Sequence, residues 1–284
     1  MFRRILFPTD FSAHARRTLE CIADLPGVME VVILHVIDTS KTTSRMMRGG
    51  LQSEAREKIE AERQVLERLG VSKVTTEVCV ADVIADAIEE TAKKNNSTII
   101  VMGARGKGLI LGLHLGSVTY RVVHESSKNL LVIRHPVIEG LTGDTYEKYC
   151  PRIFSRVIIP VDLSLESFAA VRSIASIHET GEVIMVYVIS RGESEREVEK
   201  TREKGAKIME AESLKLKNTG AEIMWRILEG DPITCICEYA DEKKASLVCS
   251  IPTEKSFLTE MIYGSFTCEL TRLSHTPVLI IRRG

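Results

Sequence analysis

Apolar and polar positions along this chain follow two rhythms. Short runs rich in β-branched residues, such as Val31-Val32-Ile33-Leu34 and Thr98-Ile99-Ile100-Val101-Met102, alternate with longer segments whose apolar positions recur at helical spacing. Continuous apolar runs suit strands buried on both faces, and amphipathic stretches suit the helices that cover them. In the first half the pattern predicts strands over Arg4 to Asp10, Glu30 to Ile37, Lys73 to Val80, Thr98 to Gly103 and Asn129 to Arg134. Helices fill the intervals. The one carrying Ala15, Leu19 and Ile22, and the later one carrying Ile84, Ala87 and Ile88, each show a single apolar stripe. From Glu54 to Arg68 the residues are mostly charged, with thin apolar spacing at Ala55, Ile59 and Leu66, so an exposed helix with a solvated charged face is expected there.

The second half repeats the first. Arg4-Ile5-Leu6-Phe7-Pro8-Thr9-Asp10-Phe11-Ser12 returns as Arg156-Val157-Ile158-Ile159-Pro160-Val161-Asp162-Leu163-Ser164, and Val31 to Ile37 returns as Val183 to Ile189 at the same offset. Asp82-Val83-Ile84 matches Asp231-Pro232-Ile233, Gly116-Ser117 matches Gly264-Ser265, and Leu131 to Arg134 matches Leu279 to Arg282, with only small loop deletions between them. An internal repeat of this length marks a duplicated domain rather than a solenoid unit. Each half reads β-α-β-α-β-α-β-α-β, a five-stranded parallel sheet flanked by helices. Pro277 opens the last strand, where a missing N–H is tolerated. The stretch from His135-Pro136 to Pro151 carries Gly140 and Gly143 without clear periodicity. The expected boundaries are therefore a domain over 1–137, a linker over 138–151 and a second domain over 152–284.

Composition narrows the partners. Lys and Arg number 38 against 39 Asp and Glu, a net charge of -1, so no global field draws the chain to nucleic acid or to anionic lipid. The longest apolar runs fall far short of the roughly 20 residues that span a bilayer. The segment Met1-Phe2-Arg3-Arg4 lacks the features of a signal peptide, and a cytoplasmic location is the expectation. The seven cysteines, Cys21, Cys79, Cys150, Cys235, Cys237, Cys249 and Cys268, lie in apolar surroundings and read as reduced thiols. Cys235 and Cys237 do not share a helical face, and no companion pair follows at zinc spacing, so a metal site is not expected there.

Open parallel sheets bind ligands beyond the carboxyl ends of their strands, where the connections change direction, here beside the first and fourth strands. That places Asp10 and the segment from Gly103 onward at the candidate site. After the fourth strand comes Gly103-Ala104-Arg105-Gly106-Lys107-Gly108, then Leu109 to Leu115, then Gly116-Ser117-Val118 opening a helix. Glycine permits close approach of an anion to backbone N–H groups, and a helix N-terminus supplies unpaired donors and the positive end of a dipole. Arg105 and Lys107 can add charge, and Ser117 a hydroxyl. The residues alone leave a simpler alternative open: the glycines turn the chain, and Ser117 serves its own helix end. Neither a G-x-x-x-x-G-K-[ST] loop nor a G-x-G-x-x-G fingerprint is present.

The spacing Gly103-x2-Gly106-x9-Gly116-Ser117 resembles the G-x2-G-x9-G-[S/T] motif of the ATP-binding universal stress protein family. Pro8-Thr9-Asp10-Phe11-Ser12 and Leu34-His35-Val36-Ile37-Asp38 resemble that family too, and the likeness spans both halves. The resemblance implies two tandem flavodoxin-like domains with strand order 3-2-1-4-5. It implies an ATP site, with a Mg or Mn ion bridging phosphates, in which Thr9, Asp10 and Val36 lie at the adenine or ribose end. Met102 and Gly103 would form the floor, and Arg105, Gly106, Gly116, Ser117 and Val118 would meet the phosphates. For Asp10 the structural alternative is a cap at helix entry, which Ser12 can equally supply, and for Val36 it is core packing.

In the second half the positions of Gly103 and Gly106 become Ile251 and Glu254. A side chain blocks close approach and a carboxylate repels phosphate, so one ATP per chain is expected although Asp162 and Ser265 remain. No Asp or Glu falls between Gly103 and Leu113 to act as a general base. A regulatory nucleotide-binding module is therefore favoured over a slow ATPase or nucleotidyl transferase, with an adenine nucleotide as ligand and a protein partner not identified by sequence. A purely structural tandem is the third reading. Family members pair through their last strands, which implies an intramolecular pseudo-dimer of the two halves and leaves room for a homodimer.

Overall fold

In a computed structural model the chain is described over residues 2–39, 45–104, 115–134, 153–190, 194–251 and 265–282. The expected linker, 138–151, lies outside the described residues. The chain divides into two units, Met1–Pro151 with Arg282–Gly284, and Arg152–Ile281.

The first unit runs β1 (Arg4–Pro8), α1 (Ala13–Ile22), β2 (Glu30–Asp38), α2 (Arg45–Arg68), β3 (Lys73–Ala81), α3 (Ile84–Lys94), β4 (Ile99–Gly103), α4 (Ser117–Glu125) and β5 (Asn129–Ile133). Its strands lie in the order β3-β2-β1-β4-β5, every pairing parallel. The central strands are buried on both faces: Ile5, Leu6, Phe7, Ile33, Leu34, Ile99, Ile100 and Val101 are sealed from solvent. That burial explains why they read as continuous apolar runs rather than as alternating ones.

Helices α1 and α2 pack together, as do α3 and α4. Right-handed crossovers on either side of β1 carry the two pairs to opposite faces of the sheet. α2 is longer than its sequence pattern predicts, beginning at Arg45 rather than at Glu54. Its expected stripe of Ala55, Ile59 and Leu66 is buried, and Glu62 is buried with it at 6% exposure, an exception to the expected solvated face.

The second unit repeats the plan: β6 (Arg156–Pro160), α5 (Leu165–Ala175), β7 (Glu182–Ile189), α6 (Glu195–Lys215), β8 (Glu222–Glu229), α7 (Pro232–Glu242), β9 (Leu247–Ser250), α8 (Ser265–Leu273) and β10 (Val278–Ile280). The order is β8-β7-β6-β9-β10, again parallel. Both units thus hold the predicted five-stranded 3-2-1-4-5 sheet. Pro277 precedes β10, and its carbonyl accepts from Val248 N at 3.0 Å, so the missing N–H costs no ladder bond. Contrary to the expectation of reduced thiols throughout, Cys21 is disulfide-bonded, while Cys79, Cys235, Cys237, Cys249 and Cys268 remain thiols.

Candidate functional site

The connection direction reverses between β1 and β4, and the candidate residues gather there. β1 pairs with β2 up to Pro8 opposite Leu34, while β2 continues to Asp38. Val36 therefore stands beyond the end of β1, level with Asp10. On the other side Leu6 pairs with Ile100, so Met102 and Gly103 stand level with Pro8 and Thr9. The ends of β1, β2 and β4 thus bring Thr9, Asp10, Val36, Met102 and Gly103 to the switch point of the sheet, where open α/β sheets form their ligand crevice.

After β1 the chain makes a tight, strained turn. Thr9 N still donates to Leu34 O at 2.8 Å, but Phe11 takes the left-handed conformation, φ 59°, which a bulky residue adopts only when its surroundings hold it there. Asp10 Oδ1 accepts from Ser12 N at 3.0 Å, and Ser12 Oγ accepts from Ala15 N at 3.1 Å as the N-cap of α1. Ser12, then, is the helix cap, and Asp10 braces the turn ahead of it.

After β4, Ala104 N donates to Ile133 O at 3.0 Å, and Gly116 N donates to Ala104 O at 2.9 Å. The chain thus returns to the end of β4 at Gly116. Thr119 Oγ1 donates to Gly103 O at 3.1 Å, which fixes the first turn of α4 against that strand end. Gly116 is the N-cap of α4 and has no side chain to accept from the helix, unlike Ser12 on α1 and Ser164 on α5. The N–H groups of Ser117, Val118 and Thr119 are therefore not capped by a side chain, at the positive end of the helix dipole. Ser117 is exposed, and Val118 and Gly116 are half-buried. Arg105 and Gly106, with Lys107 and His114, lie outside the described residues.

A polar network underlies this crevice that sequence reasoning did not identify. Thr9 Oγ1 donates to Glu62 Oε1 of α2 at 3.0 Å and accepts from Phe11 N at 3.0 Å. His35 Nδ1 lies 2.8 Å from Thr9 O. A carbonyl only accepts, so the proton is on Nδ1. The His35 ring stacks on Phe11 with centroids 4.3 Å apart, and Lys58 Nζ stands 5.9 Å from the Phe11 centroid. Burial pushes the Glu62 carboxyl up to about 7, with Asp10 adding to the rise and the Thr9 bond and Arg16 opposing it. Among the described residues its Oε2 has no hydrogen-bond partner. The signal that points to Glu62 is helical phase: it falls three residues after Ile59 and four before Leu66, on the apolar stripe itself.

The corresponding place in the second unit differs among the described residues. Asp162 Oδ1 accepts from Ser164 N at 3.0 Å and Leu163 has φ 62°, so the strained turn is reproduced. The residues beside it are more deeply buried. Val188, the counterpart of Val36, is 2% exposed where Val36 is half-buried, and Val161 replaces Thr9 in full burial. Ser250 at the end of β9 is buried and shares a 2.9 Å hydrogen bond with Thr267 Oγ1, so the hydroxyl that in the first unit holds a backbone carbonyl is here spent on a side chain. Ile251 follows directly; Glu254 and Gly264 lie outside the described residues.

The strand order and parallel pairings define a doubly wound α/β protein, a class whose ligand sites lie beyond the strand ends at the switch point. The universal stress protein family model matches residues 1–134 and again 154–282, and the chain belongs to that family. A universal stress protein of Methanocaldococcus jannaschii is 29% identical over 157 residues, covering 47% of this chain and 96% of its own length. One from Synechocystis is 33% identical over 137 residues, covering 47% of this chain and 86% of its own. The crystal structure of a universal stress protein from Archaeoglobus fulgidus superimposes with a TM-score of 0.71 at 23% identity, covering 99% of this chain and 96% of that one. At that identity the likeness shows the tandem fold alone. Among the described residues no helix is long and apolar enough to cross a membrane.

Proposed function

We propose that this chain binds ATP at one site, in the first unit, and acts as a regulatory nucleotide-binding module. The observation that carries the reading is the uncapped N-terminus of α4, tied through Thr119 to Gly103 and set beside the half-open Asp10 and Val36. Backbone N–H groups at Ser117 and Val118 meet phosphate there, Arg105 and Gly106 complete the cradle, and Thr9, Asp10 and Val36 face the adenosine end over a floor of Met102 and Gly103. Among the described residues no three His, Cys, Asp or Glu side chains cluster as metal ligands. A Mg or Mn ion accompanying ATP would bridge its phosphates, as the family resemblance implies. In the second unit Ile251 in place of Gly103, the Ser250 to Thr267 bond and the buried Val188 argue against a second site.

Bound ATP changes the surface that residues 104–115 present to a protein partner, an effector role that requires no turnover. Titration calorimetry of the intact chain with ATP and Mg tests the site. The expected result is one ATP per chain, lost in Gly106→Val. Two equivalent sites, or binding that survives Gly106→Val unchanged, would overturn the assignment, and phosphate release that depends on Lys107 would move it to the enzyme class.

A further inference from the structure

Beneath the strand end that carries Thr9 and Asp10 sits a carboxylic acid with no structural reason to be ionisable. Glu62 is 6% exposed, on the stripe with Ile59 and Leu66. One of its oxygens accepts from Thr9, and the other has no partner among the described residues. An ionised carboxylate in that position lacks most of the hydrogen bonds that stabilise a buried charge, whereas the neutral acid is tolerated. The second unit treats its own buried carboxylate differently. Glu212 on α6 is matched by Lys215 at 2.5 Å and by Arg172 at 3.4 Å.

The charged groups around Glu62 come from four elements. Thr9 and Asp10 follow β1, and Asp10 disfavours a second negative charge; Arg16 on α1 favours one. His35 on β2 lies across Thr9, bonded to its carbonyl, and Lys58 on α2 stands over the Phe11 ring. On β3, Glu77 is engaged by Lys94 of α3 at 2.8 Å, away from this group.

We propose that Glu62 is a proton-linked positioning residue of the first unit's nucleotide site, taking up a proton as the nucleotide binds and orienting Thr9 through their shared hydrogen bond. The inference rests on the nucleotide reading above. A nucleotide with its adenosine end on Asp10 and Val36 excludes water from the surroundings of Glu62, and its phosphates add negative charge farther off, at the N-terminus of α4. Both effects act against the ionised form. Linkage then requires that affinity fall as pH rises past the midpoint of the free site, by at most tenfold per pH unit, the limit for one proton.

The test is calorimetry of the full chain with MgATP at pH 7.5 in two buffers of different ionisation enthalpy, repeated from pH 6.5 to 8.5. Wild type should take up a sizeable fraction of one proton per ATP and bind several-fold more weakly at the alkaline end. Glu62→Gln should bind with only the uptake due to ATP itself and with a flatter profile, while His35→Gln should keep the linkage. A Glu62→Gln protein with wild-type uptake and pH dependence, or loss of the linkage in His35→Gln alone, overturns the proposal and leaves the nucleotide site standing. Wild type that binds no ATP at any pH overturns the nucleotide reading and this inference with it. Should Glu62→Gln fail to fold, carbon-13 carboxyl NMR of the wild-type glutamates decides: the midpoint of Glu62 must rise when MgATP is added, and an unmoved midpoint refutes the linkage.

Discussion

Glu62→Gln also makes a prediction that involves no ligand. A carboxyl that titrates at 4.5 in the unfolded chain and at about 7 in the folded one binds more protons folded than unfolded between those values. Its contribution is therefore most favourable at low pH, declines as pH rises through that window, and is unfavourable by a constant amount above pH 7. At about 1.4 kcal/mol per pH unit the full swing is about 3 kcal/mol. The absolute stability of the glutamine variant mixes that relief with the cost of a buried amide N–H in place of Oε2, about 1–3 kcal/mol, so the informative quantity is the slope. Wild type should lose about 3 kcal/mol more than Glu62→Gln between pH 4.5 and pH 7.5, all other titrating groups being shared. Urea unfolding followed by far-UV circular dichroism measures it. The single tryptophan, Trp225 on β8, lies in the second unit, so its fluorescence serves as an internal control that should show the same pH dependence in both proteins. Parallel pH profiles for the two proteins would refute the burial argument, and a change confined to the tryptophan transition would place the effect in the wrong unit.

Three further outcomes follow from local geometry. A Cβ added at Gly181 would stand 2.6 Å from the backbone oxygen of Ser155; backbone cannot step aside cheaply, so Gly181→Ala should destabilise the second unit by about 1–3 kcal/mol, read as a lower urea midpoint of Trp225 fluorescence. Asp231 caps α7 by accepting from Thr234 N at 2.9 Å and from Thr234 Oγ1 at 2.7 Å, and these bonds hold its carboxyl below the usual range. Asp231→Ala should cost about 1 kcal/mol at pH 7, a difference that shrinks once pH falls below the ordinary aspartate range, where the unfolded carboxyl protonates first, and is lost as pH passes the lowered folded midpoint; a cost that stays constant down to full protonation would contradict the ionic part of the cap. Burial pushes the Cys249 thiol up, so it should resist alkylation in the native protein and react only on unfolding, as peptide mass spectrometry after iodoacetamide treatment can check.

The sheet was legible because both of its faces are covered. Strands such as Val31 to Leu34 and Ile99 to Met102 had to be continuously apolar, and the repeat supplied each of them twice. The beginning of α2 was not legible, since Gly49 and Gly50 interrupt the segment from Arg45 to Ser53 and outweigh the helical spacing of Met47 and Leu51 ahead of Ala55. Asp10 and Ser12 could not be ranked as caps from sequence, because both residue types cap helices; only the chain path shows Ser12 holding Ala15 N. Glu62 was misassigned to a solvated face by its chemistry, although its phase along the helix pointed inward. Residue type outweighed periodicity there, and the period was the better guide.

Comparison of the two units separates scaffold from site without reference to any other protein. The Asx bond of Asp10 to Ser12 recurs in Asp162 to Ser164, and the left-handed Phe11 recurs in Leu163. These features recur in both units, so they are requirements of the β-to-α turn, and the aspartate alone does not mark a ligand site. What differs is the set that a ligand would feel: Thr9 becomes Val161, His35 becomes Tyr187, Met102 becomes Ser250 and Gly103 becomes Ile251, while Val36 is half-open and Val188 sealed. A double exchange, Ser250→Met with Ile251→Gly, restores the residue types of the first unit at the end of β9 but leaves Val161 and Tyr187 in place. If the glycine-lined approach is what the second unit lacks, the exchange should create weak ATP binding there and raise the calorimetric stoichiometry above one. Unchanged stoichiometry would instead locate the loss in Glu254, which stands where the first unit has Gly106, or in the turn network around Thr9.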